Sequence, residues 1–188
     1  MSDALNTDLL LIEACLKGDA KAQKELYEQY ARKMMPICLR YSNDYETARD
    51  LLHDGFVRVF TYLCNYKGEG SFEGWMRKIF VNTALEYLRK LRDKPHQMSI
   101  EDACLSESND YSVLETMSES EIINCIQELP PMYRSVFNMF VIEGYSHKEI
   151  GALLNITASS SRVYLTRAKQ MMQAMLIKRY GKNERFRI

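Results

Sequence analysis

Proline and glycine are scarce, four and eight among 188 residues. So few breakers argue against an all-β sandwich and for long helices. No stretch of alternating apolar and polar residues is long enough to read as a strand. No uncharged apolar run approaches the ~20 residues of a membrane span, so no transmembrane helix is expected. Residues 1–17 carry Asp3, Asp8 and Glu13 but no basic cluster ahead of an apolar run. A secretory leader is therefore not expected, and the expected location is cytoplasmic. The five cysteines, Cys15, Cys38, Cys64, Cys104 and Cys125, are odd in number, and none lies within three residues of another. Neither a zinc site nor a disulfide framework fits that spacing, and buried free thiols are the expectation. The histidines His53, His96 and His147 are scattered, so no metal or cofactor is expected. Gly68-Glu69-Gly70-Ser71 lacks the Gly-Lys-Ser/Thr ending of a phosphate loop, and an enzyme is not the expected reading.

What is present is charge, unevenly placed. Lys plus Arg and Asp plus Glu number 25 each, a formal net charge of zero. Residues 1–95 carry +1, residues 96–125 carry −7 with no Lys or Arg, and residues 126–188 carry +6. An acidic, serine-rich stretch has too little apolar surface to offset its ordering entropy. The organisation expected is all-α: a helical domain over 1–95, a flexible acidic linker over 96–117, and a second helical domain over 118–188. The C-terminal basic surplus suits a polyanion, although a solvated basic face would give the same count.

Helical spacing predicts a first helix from Asp8 to Lys17, capped by Thr7 and closed by Gly18. A second runs over about Ala20 to Arg40, kinked at Pro36. A third runs over about Tyr45 to Cys64, with Asp50 and Asp54 on one face. A loop at 65–70 precedes a fourth helix from Phe72 to about Leu91, capped by Ser71. Beyond the linker come a short helix over Glu121 to Leu129 and one starting at Pro130 or Pro131 and running to about Glu143, stopped at Gly144. Ser146-His147-Lys148-Glu149 fits a capping box, opening a helix to Leu154. Asn155 tolerates positive φ in the turn. Thr157 caps a last helix from Ala158 to about Lys178.

Capped short helix, tight turn and capped basic helix form a helix-turn-helix pattern. Gly151 falls where the two helices cross, and Ile150, Leu154, Ile156, Leu165 and Ala168 suit the contact between them. The second helix then offers Ser159, Ser160, Arg162, Val163, Tyr164 and Arg167, with no acid from Ala158 to Lys182. Such a helix can present Arg to guanine edges and Val to a thymine methyl in the major groove. Lys169, Lys178, Arg179 and Lys182 suit phosphates. An ordinary helical hairpin with a basic outside remains the alternative. In the N-terminal half, Phe72, Trp75 and Phe80 alternate with Arg77, Lys78, Asn82, Arg89 and Lys90, behind a loop carrying Tyr66 and Lys67. Aromatics beside bases suit single-stranded DNA, although Phe72 and Trp75 serve a core equally well.

Three blocks then resemble a known family. Ala48-Arg49-Asp50-Leu51-Leu52-His53-Asp54-Gly55-Phe56-Val57-Arg58-Val59-Phe60 resembles the core-binding helix of bacterial sigma factors. Phe72-Glu73-Gly74-Trp75-Met76-Arg77-Lys78-Ile79-Phe80-Val81-Asn82, followed by Tyr87-Leu88-Arg89-Lys90, resembles their promoter-melting helix. Leu129-Pro130-Pro131, Gly144-Tyr145-Ser146 and Glu149-Ile150-Gly151, with Leu165-Thr166-Arg167-Ala168-Lys169, resemble their C-terminal helix-turn-helix. Two such domains alone resemble the extracytoplasmic-function class.

The resemblance implies roles. Asp50, His53, Asp54 and Arg58 would face the clamp helices of the polymerase largest subunit. The loop from Tyr66 to Ser71, with Lys67, would capture a flipped base of the minus-ten element. Phe72, Trp75, Lys78, Asn82, Arg89 and Lys90 would hold the opened strand. The last helix would read the minus-thirty-five element through Ser159, Ser160, Arg162, Val163, Tyr164, Arg167 and Lys169. The partners implied are core RNA polymerase and promoter DNA, duplex and single-stranded, with an anti-sigma factor that is often membrane-anchored in this class. No small-molecule substrate is implied. Ser161 stands where the family usually has an apolar residue, which predicts loose packing at the start of the last helix. A stand-alone helix-turn-helix regulator, with an N-terminal sensing or dimerising bundle, is the rival reading.

Overall fold

The computed structural model describes residues 2–92 and 118–180, and within them the side chains from residue 8 onward except those of 92, 119 and 180. The linker call over 96–117, together with Cys104 and Lys182, lies outside the described residues. Every regular element among the described residues is helical. The chain forms two compact units, 1–87 and 88–188, a division that falls within the fourth helix.

The first unit holds α1 (Ser2–Leu16), α2 (Ala20–Tyr41), α3 (Tyr45–Tyr62), a 3-10 turn at Leu63–Asn65, and the part of α4 (Phe72–Arg92) that precedes residue 88. Helix α1 starts six residues earlier than the Thr7 cap predicts, because nothing from Ser2 to Asn6 breaks a helix. Helix α2 continues through Pro36 to Tyr41 without a break. Met34, Ile37, Cys38 and Tyr41 flank that proline and are almost wholly buried, so packing carries the helix past the missing N–H. Asp19 caps α2 and Asp44 caps α3; Asp44 also accepts from the Thr47 hydroxyl. Ser71 caps α4 as expected, its Oγ accepting from Gly74 N–H at 3.0 Å.

The core of this unit is aromatic. Phe56 lies 4.5 Å from Tyr27 and 5.3 Å from Phe80, ring centre to ring centre. Gly55 makes that arrangement possible, because a Cβ there would fall inside the Phe80 ring. Leu26, Met34, Leu63, Met76 and Leu85 complete the core, each worth about 1.5–3 kcal/mol on full burial.

In the second unit α5 spans Glu119–Gln127, α6 Pro131–Phe137, α7 His147–Leu154 and α8 Ala158–Tyr180. Glu121, expected to begin α5, is instead the third residue of a capping box with Ser118. The expected single helix from Pro131 to Glu143 divides, its last five residues, Asn138–Ile142, winding as a π-helix. Glu143 N–H bonds the Asn138 carbonyl five residues back, and Gly144 then ends the element at φ +75°. Arg134 is buried, and its guanidinium donates to the carbonyls of Gln127 and Leu129 at the end of α5. Sequence reading missed this: an arginine in an apolar run gave no sign that it would cap a neighbouring helix.

Cys15, Cys38 and Cys125 are buried, as expected, but Cys64 is exposed. Burial pushes the Cys38 thiol up to about 12 and raises Cys15 and Cys125 as well.

Candidate nucleic-acid interface

On α3, Asp50, His53 and Asp54 are all exposed, at spacings that put them on one face with exposed Val57. Arg58 departs from that set. Its guanidinium reaches α4 and pairs with Glu86 at 2.5 Å, half-buried. The hydrogen bond to Glu86 raises its pKa, so its charge is engaged within the unit.

The loop after the 3-10 turn is built around Tyr66. Gly68 and Gly70 take φ of +75° and +76°, which lets the chain fold back until the Tyr66 hydroxyl donates to the Gly70 carbonyl at 2.9 Å. The half-buried Tyr66 ring lies 5.1 Å from Phe72 and 5.5 Å from Trp75, and Phe72 and Trp75 stack at 17°. Phe72 is only 3% exposed, so it is a core residue and not a direct DNA contact. Its burial follows from its neighbours: Tyr30 meets it edge-on at 5.5 Å, under Tyr66 and Trp75. Tyr66 and Trp75 are the rings that keep solvent-facing surface, resting on a rigid floor.

That floor has a support the sequence did not reveal. The Tyr30 hydroxyl donates to Asp8 at 2.8 Å, and the Gln29 amide donates to the other Asp8 oxygen at 3.1 Å. Burial, then the bond to Asp8, raises the Tyr30 phenol well above its ordinary range. Burial, then the charge of Asp8, raises Tyr66 too, so both hydroxyls remain donors at neutral pH. Beyond Trp75, exposed Lys78 and Asn82 and half-buried Arg89 follow at helical spacing along α4, with exposed Lys90 beside them and Lys67 exposed in the loop. Aromatic surface, amide and cations thus lie along one helix, the chemistry of a single-strand platform.

In the second unit, both caps of the helix-turn-helix form. Ser146 and Glu149 cap α7 reciprocally, and Asn155 makes the turn at φ 54°, ψ 50°. Thr157 Oγ1 accepts from Ser160 N–H at 2.9 Å, opening α8. Gly151 sits against the turn backbone, where a Cβ would lie 2.8 Å from the Ile156 carbonyl oxygen. Ile150, Leu154, Leu165 and Ala168 are buried between the helices.

Outward from that clamp, Ser159, Arg162 and Val163 are exposed. Ser160 is half-buried, its hydroxyl 2.8 Å from Thr157 Oγ1. Tyr164 leans inward, 5.5 Å from the Tyr133 ring, and the Arg167 guanidinium lies 3.4 Å from the Tyr133 hydroxyl. Both, with half-buried Lys169, border the reading face, whose outermost residues are Ser159, Arg162 and Val163. Arg179, expected to meet phosphate, instead pairs with Glu128 and touches Cys125 Sγ. The expected looseness at Ser161 is also overturned. Ser161 is fully buried, with its Oγ 2.9 Å from His147 Nδ1.

Comparison with known proteins agrees with both halves. Residues 26–94 match the family Sigma-70 region 2, and residues 119–172 match Sigma-70, region 4. The RNA polymerase sigma-H factor of Pseudomonas aeruginosa is 26% identical over 180 residues, covering 90% of this chain and 93% of that protein. The ECF RNA polymerase sigma factor SigE of Mycolicibacterium smegmatis is 29% identical over 158 residues, 82% of this chain and 61% of that protein. The chain belongs to the extracytoplasmic-function class of sigma factors. Its function is to direct core RNA polymerase to promoters and initiate DNA-templated transcription. The rival regulator reading has no place for a region 2 match over 26–94. Among solved structures, the sigma factor RpoE in complex with the anti-sigma factor NepR from Bartonella quintana aligns with 81% of this sigma factor and 95% of that chain, at 15% identity and a TM-score of 0.49. No helix among the described residues is long and apolar enough to cross a membrane.

Proposed function

We propose a division of labour between two domains, 1–95 and 118–188, tethered by the acidic segment 96–117. Asp50, His53 and Asp54 dock on the clamp helices of the polymerase largest subunit. Tyr66 and Trp75 receive a base flipped from the minus-ten element, and Lys67, Lys78, Asn82, Arg89 and Lys90 hold the opened strand. Arg162 and Val163 read the minus-thirty-five duplex from the major groove, and Lys169 and Arg167 grip its flanks. The chain performs binding work and no chemical step of its own, and it acts in the cytoplasm. An anti-sigma partner follows from class membership.

One observation carries the reading: the aromatic surface of Tyr66 and Trp75 stands at the head of a helix whose polar residues continue in line. Unstacking a base costs a few kcal/mol. Stacking on such a surface recovers ~1–3 kcal/mol per base, so phosphate contacts along α4 supply the balance. Zero net charge, with −7 over residues 96–125, gives the free protein little long-range attraction to DNA, which makes docking on the polymerase the step that licenses DNA binding.

The test is run-off transcription with purified core enzyme and promoters captured by the reconstituted holoenzyme. Asp54→Lys is expected to lower core affinity while leaving the fold intact. Arg162→Ala is expected to lower promoter use at unchanged core affinity. Equal loss of core affinity in both would contradict the division.

A further inference from the structure

The start of α8 is held by a polar joint. Ser161 occupies the slot where an apolar side chain would wedge between the two helices, and it is fully buried there. The space is taken by His147, the first residue of α7, whose Nδ1 lies 2.9 Å from Ser161 Oγ. That bond is made at the edge of the imidazole, and one face of the ring is occupied too, stacked on Phe140 at 4.4 Å and 20°. Phe140 belongs to the π-helical turn, so three successive elements meet at one histidine.

This joint lies apart from the apolar clamp. Ile150, Leu154, Leu165 and Ala168 fix how far apart α7 and α8 are, but a small apolar patch permits rocking about itself. A hydrogen bond between the first residue of α7 and the first turn of α8 removes that freedom. It does so one residue before Arg162 and two before Val163, the exposed residues of the reading face. Bidentate readout of a base edge tolerates little angular error.

We propose that His147, held between Phe140 and Ser161, is a positioning residue for duplex recognition: it sets the angle at which α8 presents Arg162 and Val163 to the minus-thirty-five element. The inference rests on α8 being the reading helix.

Holoenzyme reconstituted from core enzyme and the full chain is challenged with upstream duplexes selected from a randomised pool, and with scrambled versions of them. Ser161→Ala and His147→Ala are each expected to reduce the preference for the selected duplex by about tenfold, the scale of one buried group left unpaired. The double variant should be no worse than His147→Ala alone, because Ser161→Ala removes only a bond that His147→Ala has already removed. His147→Asn, which can return a polar atom near the Nδ1 position, should restore part of the preference. Core affinity and single-strand binding should not move, and the His147 imidazole nitrogen signal should change in Ser161→Ala. Additive losses, failure of Asn to restore any preference, or parallel loss of core affinity would each overturn the proposal. Unimpaired variants would remove it and leave α8 as the reader. A wild-type holoenzyme with no upstream preference would remove both.

Discussion

The two units solve the same problem, presenting polar and aromatic groups to DNA, in opposite ways. In the first, the candidate surface is the top of the core itself. Trp75 stacks on Phe72, Tyr66 and Tyr30 meet Phe72 edge-on, and Tyr30 is tied to Asp8, so the binding rings and the folding rings form one cluster. In the second, Arg162 and Val163 stand clear of the core, and separate residues hold the helix that carries them. A reader of the first unit cannot change its binding surface without touching stability. A reader of the second can.

Substitutions sharpen that contrast. The largest effect is expected from Gly55→Val, whose branched side chain has no room beside Phe80. It should destabilise the first unit by about 3 kcal/mol or more, with loss of both core and single-strand binding. A denaturation curve in which the second unit's transition is unchanged would confirm that the damage stays local. Next, Arg134→Met should cost the second unit about 2–3 kcal/mol in chemical denaturation, by orphaning the Gln127 and Leu129 carbonyls. Third comes a matched pair. Trp75→Ala should weaken single-strand binding by ~1–3 kcal/mol and also lower the thermal midpoint, whereas Arg162→Ala should weaken duplex discrimination by a similar amount at an unchanged midpoint. Equal midpoints for the two would break the comparison.

The smallest expected effect is a pH dependence. Burial, and then the charges of Arg162 and Lys169, hold His147 below its ordinary 6.5. The unfolded chain therefore takes up this proton first. The second unit keeps its full stability above 6.5 and loses it as pH falls toward the folded value. Melting at about pH 7 and about pH 5.5 should show a modest drop that His147→Asn removes.

Much of this was legible in the sequence because it is local. The Ser146–Glu149 box, the Asn155 turn and the Ser71 and Thr157 caps follow from residues three or four apart. Order and type of the helices followed from the same spacing. What stayed hidden was long-range. Asp8 to Tyr30, Arg58 to Glu86, Arg179 to Glu128 and His147 to Ser161 join residues that only the fold brings together. Two of these claim groups expected to meet a partner: Arg58, through the resemblance, and Arg179, as a phosphate contact. Phe72 shows the same limit from the apolar side, since a ring at the edge of a core and a ring facing a base have identical spacing.

The π-turn at 138–142 has one last consequence. It accommodates one more residue in its coil than an α-helix of the same rise would. Deleting a single residue there would let an α-helix run on through nearly the same rise and rotation, so everything upstream would keep its phase and only the turn's own side chains would be reassigned. Tyr133 would then keep Tyr164 and Arg167, whereas Phe140 would lose its place on the imidazole. The surplus residue is what turns Phe140 toward the imidazole, so a one-residue deletion in this stretch should spare the fold of the unit while costing the His147 contact.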